Sequence, residues 1–107
     1  MGRSRPSRSS CGQQYWTSEL GMLSHFNNHG ARMGYENAEQ YCQASRENMS
    51  HSSTIIGEAY DGRLGYFNTI DDRLTIVNQM EKIITYYIPD DGVDYFNRHF
   101  PMDYVNI

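Results

Sequence analysis

Residues 54–92 read TIIGEAYDGRLGYFNTIDDRLTIVNQMEKIITYYIPDDG, and this stretch decides the fold. Short β-branched and aromatic runs alternate with turn residues every 8–12 positions, the pattern of an antiparallel meander. Thr54-Ile55-Ile56 opens the first run, and Asp61-Gly62 supplies a hairpin turn because glycine accepts positive φ without strain. Arg63 to Asn68 makes a second strand, Asp71-Asp72 a turn, and Arg73 to Asn78 a third strand. Gln79 to Glu81 turns again into Lys82 to Ile88, the strongest strand, which ends at Pro89 and Asp90-Asp91-Gly92. Period-two alternation puts Ile83, Thr85 and Tyr87 on one face and Ile84, Tyr86 and Ile88 on the other. Asp94 to His99 forms a short helical turn, and Met102 to Ile107 carries no readable pattern.

Upstream the period changes. Thr17 and Ser18 are N-cap candidates for a helix running to about Arg32 and ended by Gly34. Leu20, Leu23 and Phe26, continued by Gly30 and Met33, make its apolar stripe. His25, His29 and Arg32 share a neighbouring face at i, i+4, i+7. Asn37 caps a second helix, about Ala38 to Met49, with Ala38, Tyr41, Cys42, Ser45 and Met49 inward. The fold class expected is α+β, with N-terminal helices packed on a four-stranded antiparallel sheet. Residues 1–14, rich in Arg, Ser, Gly and Gln, read as a disordered leader or junction, and 15–107 as a single domain.

The chain has 107 residues, enough for one core, and 14 aromatic side chains must supply much of it. No apolar run approaches the ~20 residues of a membrane helix, and the arginine-rich start lacks the apolar stretch of a secretory signal. Arg3, Arg5 and Arg8 stand in the first ten residues, whereas the rest carries all 13 acids and six of the nine basic residues. So acidic a body is unlike a general nucleic-acid binder, and any contact with RNA rests on a few placed arginines. Two cysteines, Cys11 in the leader and Cys42 in a helix, make no framework, which weighs against a disulfide.

Imidazoles are the side chains best suited to proton transfer near neutral pH. His25 and His29 lie one turn apart and can address one ligand. One can take the proton of a ribose 2′-hydroxyl while a second donor protonates the leaving 5′-oxygen, a metal-free route to RNA cleavage. Arg32 or Arg63 can neutralise phosphate charge, and the hydroxyls of Thr85 and Tyr87 can orient it. Each element also has a plain alternative: His-x-x-x-His is common on solvated helices, and Thr and Tyr are ordinary strand formers. A zinc site built on the same pair needs a third ligand, which His51 or Glu58 could give only by accident of fold. Glu58 also fits a general base beside a histidine. No phosphate loop, nucleophile elbow or dinucleotide fingerprint occurs, and no cofactor or metal is expected.

Leu23-Ser24-His25-Phe26-Asn27-Asn28-His29-Gly30, Met33-Gly34, Tyr41, the Asp61-Gly62 turn, Ile84-Thr85-Tyr86-Tyr87-Ile88-Pro89 and Tyr95-Phe96-Asn97 follow in one order. That order resembles the C-terminal toxin domains of bacterial polymorphic toxin and contact-dependent growth inhibition systems, grouped with the barnase, EndoU, colicin-D and RelE-like ribonucleases. The resemblance covers about Leu20 to Phe100. It implies a metal-independent ribonuclease, with His25, His29, Thr85 and Tyr87 matching the family's positions and so the catalytic candidates. Arg32 and Arg63, read from the residues themselves, are the substrate-binding candidates for a tRNA or rRNA substrate. It also implies a cognate immunity protein, a monomer, and delivery from the producing bacterium into a target cell's cytoplasm. Asn27, Asn28 and the acidic balance depart from the basic residues such domains carry. The competing reading is a non-enzymatic interaction module or an inactive toxin remnant, whose acidic, tyrosine-rich surface would bind a basic partner.

Overall fold

The computed structural model describes residues 11–104. Five strands form one antiparallel sheet in the order β4-β3-β2-β1-β5: β1 Thr54–Glu58, β2 Leu64–Asn68, β3 Leu74–Val77, β4 Ile83–Tyr87 and β5 Met102–Asp103. The four expected strands are present. The fifth is a two-residue strand, too short to leave a period in the sequence, that pairs with Gly57 and Glu58. The turns fall at the expected places, with positive φ at Gly62, Asp72 and Glu81.

The helices do not all precede the sheet. Helices α1 (Cys11–Tyr15), α2 (Glu19–His25) and α3 (Ala38–Glu47) come first, but α4 (Val93–His99) lies between β4 and β5. The sheet therefore carries a layer on each face, which is why every residue of β3 is buried. On one face Trp16, Met22, Tyr41 and Cys42 pack on Leu64, Val77, Ile83 and Tyr86. On the other, Phe96 and Phe100 pack on Phe67, Leu74 and Ile76. Gly65 admits Phe100: a Cβ there would stand 2.8 Å from the Phe100 ring.

Local signals explain the helix starts. The Ser18 hydroxyl accepts from the Gly21 amide, and the Asn37 side chain accepts from Gln40 N–H while Gln40 accepts from Glu36 N–H. The first long helix is not one α-helix, however. After His25 it widens into a π-helical turn, Phe26–Gly30. The apolar stripe also differs from expectation. Leu20 is 80% exposed and Leu23 is exposed too, whereas Met22 and Gly30 are buried and His25, Phe26 and His29 half-buried. The histidines are part of the inward face, so the leucines turn to solvent.

Two expectations about the N-terminal segment need correcting. Cys11 and Cys42 form a disulfide across 31 residues, and both are buried. Residues 11–14, assigned by sequence to the leader, are helical in α1. α1 is also held by a cation–π contact of Arg46 over Tyr15, by Lys82 donating to the Gln14 carbonyl, and by a parallel bridge of Trp16 to Ile83. The leader expectation for residues 1–10 falls outside the described residues.

Candidate functional site

β4 is an edge strand with a bulge: Val77 pairs Ile83 and Ile76 pairs Thr85, so Ile84 has no partner opposite. Directly paired residues share a face. Thr85 and Tyr87 therefore lie with Ile76 and Leu74 on the α4 face, and Ile83 lies with Val77 on the face of α1–α3. This corrects the simple alternation that put Ile83 beside Thr85; the bulge flips it. α2 and its π-turn run along this edge, which brings histidines from the helical layer to hydroxyls on the far face of the sheet.

His25 Nδ1 lies 3.0 Å from Thr85 Oγ1. The His25 and His29 rings stack at 5.8 Å, and His29 stacks on Tyr87 at 5.3 Å. Behind His25, at 5.7 Å, stands the buried indole of Trp16, which donates to Ser45 Oγ. Tyr87 Oη donates to Tyr95 Oη on α4. His29, Arg32, Tyr87, Tyr95, Asp90, Asp91 and Arg98 line one open cavity of about 490 Å³, in which Arg98 is ion-paired to Asp91 at 3.0 Å. Gly30 closes the π-turn against α3, since a Cβ would meet the Phe26 ring at 2.3 Å and Tyr41 at 3.0 Å.

The electrostatics of the pair follow from this placement. Burial, and then the neighbouring His29, hold the His25 pKa below the ordinary imidazole value. Burial, and then the Arg32 charge, do the same to His29. Tyr87 is pushed far above the ordinary phenol range, first by burial and then by its bond to Tyr95. Its hydroxyl is a neutral donor. The site thus offers two largely neutral imidazoles, close enough that charging one disfavours charging the other. The Thr85 bond sets the His25 tautomer: with the proton on Nδ1, Nε2 is a free base; with Nδ1 accepting from Thr85, Nε2 carries the proton.

The six sequence candidates divide. His25, His29, Thr85 and Tyr87 form one continuous group, and Arg32 lines its cavity without an ion pair among the described residues. Arg63 does not line the cavity. Its Nε bonds both oxygens of Asp61, its guanidinium lies 5.8 Å from the Phe100 ring, and its charge reaches Tyr87 only as a field. Thr85, expected to face a phosphate, bonds His25, and Tyr87, expected to do the same, bonds Tyr95 while also lining the cavity. Glu58 stands on β1, separated from β4 by β2 and β3 in the sheet, and is not beside the histidines. His51 accepts from Ser53 N–H elsewhere. Among the described residues no group of three or more His, Cys, Asp or Glu is arranged to hold a metal ion. Sequence reading missed Trp16, Tyr95 and Arg98. For Tyr95 a signal existed: it shares a helical turn with His99 at i, i+4, after the strand that bears Tyr87.

No protein-family model matches the sequence, and no curated protein matches it. Among solved structures, the chain is similar to a ribonuclease from Escherichia coli complexed with its inhibitor protein. The match has a TM-score of 0.53 at 19% identity and covers 71% of this chain and 92% of that one. At that identity the likeness speaks for architecture: this chain has the α+β fold of a bacterial ribonuclease.

Proposed function

We propose that the protein is a metal-independent endoribonuclease of the bacterial effector type. One observation carries the reading: His25 and His29 stack on each other between Thr85 and Tyr87, and His29 and Tyr87 line a cavity that also holds Arg32. One imidazole takes the proton of a ribose 2′-hydroxyl, and O2′ forms its bond to the adjacent phosphorus. The P–O5′ bond breaks, and the other imidazole, which enters the reaction as its imidazolium form, gives its proton to O5′. The products are a 2′,3′-cyclic phosphate and a 5′-hydroxyl end. Arg32 offsets charge on the phosphorane. Thr85 acts through His25 and Tyr87 through His29, so both are positioning residues.

The fold shared with a ribonuclease that binds an inhibitor protein supports this reading. A cognate immunity protein and action in the cytoplasm of a target bacterium belong to the same proposal. The test is incubation of purified protein with tRNA and rRNA in EDTA, wild type beside His29→Ala. Wild type should leave cyclic phosphate ends, and the variant should be ~10²–10⁴ slower. Intact RNA with both proteins, each shown folded by circular dichroism, would overturn the reading.

A further inference from the structure

We infer that Tyr95 and His99 form a nucleobase-stacking subsite on α4, so that the substrate is a single-stranded stretch reaching beyond the two nucleotides at the cut. This inference rests on the ribonuclease reading and extends it to substrate class.

α4 is only seven residues long but has two sharply different sides. Phe96 stacks on Phe67 at 5.3 Å and on Phe100 at 5.8 Å, which anchors the helix to the sheet. The adjoining side, about 100° around the helix, carries Tyr95 and His99, one turn apart, with ring centroids 4.2 Å from each other and planes 35° apart. Tyr95 is half-buried and fixed by Tyr87 through a hydroxyl bond and an edge contact at 6.1 Å, 80°. His99 is exposed. The rings form a file from His25 through His29, Tyr87 and Tyr95 to His99, spaced 5.8, 5.3, 6.1 and 4.2 Å.

At one end of that file are the proton-transfer groups; at the other is a paired, solvent-facing ring surface beside the cavity. A flat apolar base gains by stacking there, and any base can, because every base has a π-face. Arg98 lines the same cavity next to His99, but it is ion-paired to Asp91 at 3.0 Å, so a phosphate there meets it only in competition with that carboxylate, and Arg32 is the cavity's arginine outside such a pair among the described residues. Bases locked in a duplex cannot reach such a platform, whereas unpaired loops and ends can.

The experiment compares wild type, His99→Ala and His99→Phe on two readouts. The first is binding of a non-cleavable, all-2′-deoxy tetranucleotide, followed by fluorescence anisotropy. The second is cleavage of a ribo-dinucleotide and a ribo-tetranucleotide. His99→Ala should weaken tetranucleotide binding and raise its KM by roughly tenfold, with a clearly smaller effect on the dinucleotide. His99→Phe should restore both, since it keeps the ring and loses the imidazole. Equal behaviour of wild type and His99→Ala would overturn the subsite, as would failure of His99→Phe to rescue. If wild type cleaves RNA and His99→Ala is silent, the subsite alone falls. If the tetranucleotide binds in a His99-dependent way but no RNA is cut, the ribonuclease reading falls and the subsite stands.

Discussion

The Thr85 hydroxyl holds His25 from one side and the Trp16 indole backs it from another, so the imidazole is fixed before any substrate arrives. Catalysis by proton transfer depends on that fixing, because misplacement by an ångström costs large factors in rate. The lowered pKa values of both histidines have a direct consequence. A lowered imidazole pKa keeps the neutral base in hand at a pH where a free histidine is half protonated. The acidic limb of the kcat/KM profile should therefore fall below pH ~6.5. Proton NMR titration should find both imidazoles titrating below that value, and His29→Gln should raise the His25 pKa by removing a neighbouring charge. A His25 titration unmoved by that change would contradict the coupling. Stability follows the same sign: the unfolded chain binds more protons in this window, so stability is full above ~6.5 and declines as pH falls toward the folded values. Residue types and spacing made His25, His29, Thr85 and Tyr87 legible from sequence. Trp16 was not legible, because nothing local ties this indole to a histidine nine residues on.

At the scale of elements, hairpin turns and helix caps were legible because short-range chemistry writes them: Asp61-Gly62, Ser18 and Asn37 each do locally what they do in the fold. The features that escaped all depend on long-range closure. The π-turn at Phe26–Gly30 adds a residue to the helix without a compositional sign. The bulge at Ile84 shows only against β3. Strand β5 exists only because β1 offers it an edge. The Cys11–Cys42 link is of the same kind: two cysteines 31 apart say nothing until α1 and α3 are packed together. Closing a loop of that length removes chain entropy from the unfolded state, worth about 3–4 kcal/mol. Denaturant unfolding with and without reductant, and of Cys42→Ser, should show a loss of that order. Because α1 carries Trp16 to His25, the reduced protein should also lose activity while it is still folded. Equal stability with and without reductant would show that packing alone holds α1.

For the whole molecule, the sheet between two layers converts a modest core into a site at one edge. α2 approaches β4 from one layer and α4 meets Tyr87 from the other. No helix among the described residues is long and apolar enough to cross a membrane. The net charge of −4 means that binding to a polyanion draws on a few cations rather than a basic surface. With Arg98 held by Asp91 and Arg32 the cavity's arginine outside an ion pair among the described residues, log K for single-stranded RNA should fall with log salt at a slope of about −0.7. A slope several times steeper, measured by anisotropy across a salt series, would place the main contact elsewhere. Composition announced this acidity but not its relief, because sequence order does not show which arginines the fold gathers.

On the proposed route of delivery into a target cell, the bond between Cys11 and Cys42 would bear on transport as well as on folding. A polypeptide drawn through an opening one strand wide must travel in single file, and a covalent ring cannot. While the sulfurs remain joined, the segment between them has to pass doubled. Entry by such a route requires that the ring be opened first and closed again on the far side, or that the thiols stay reduced until the crossing is complete.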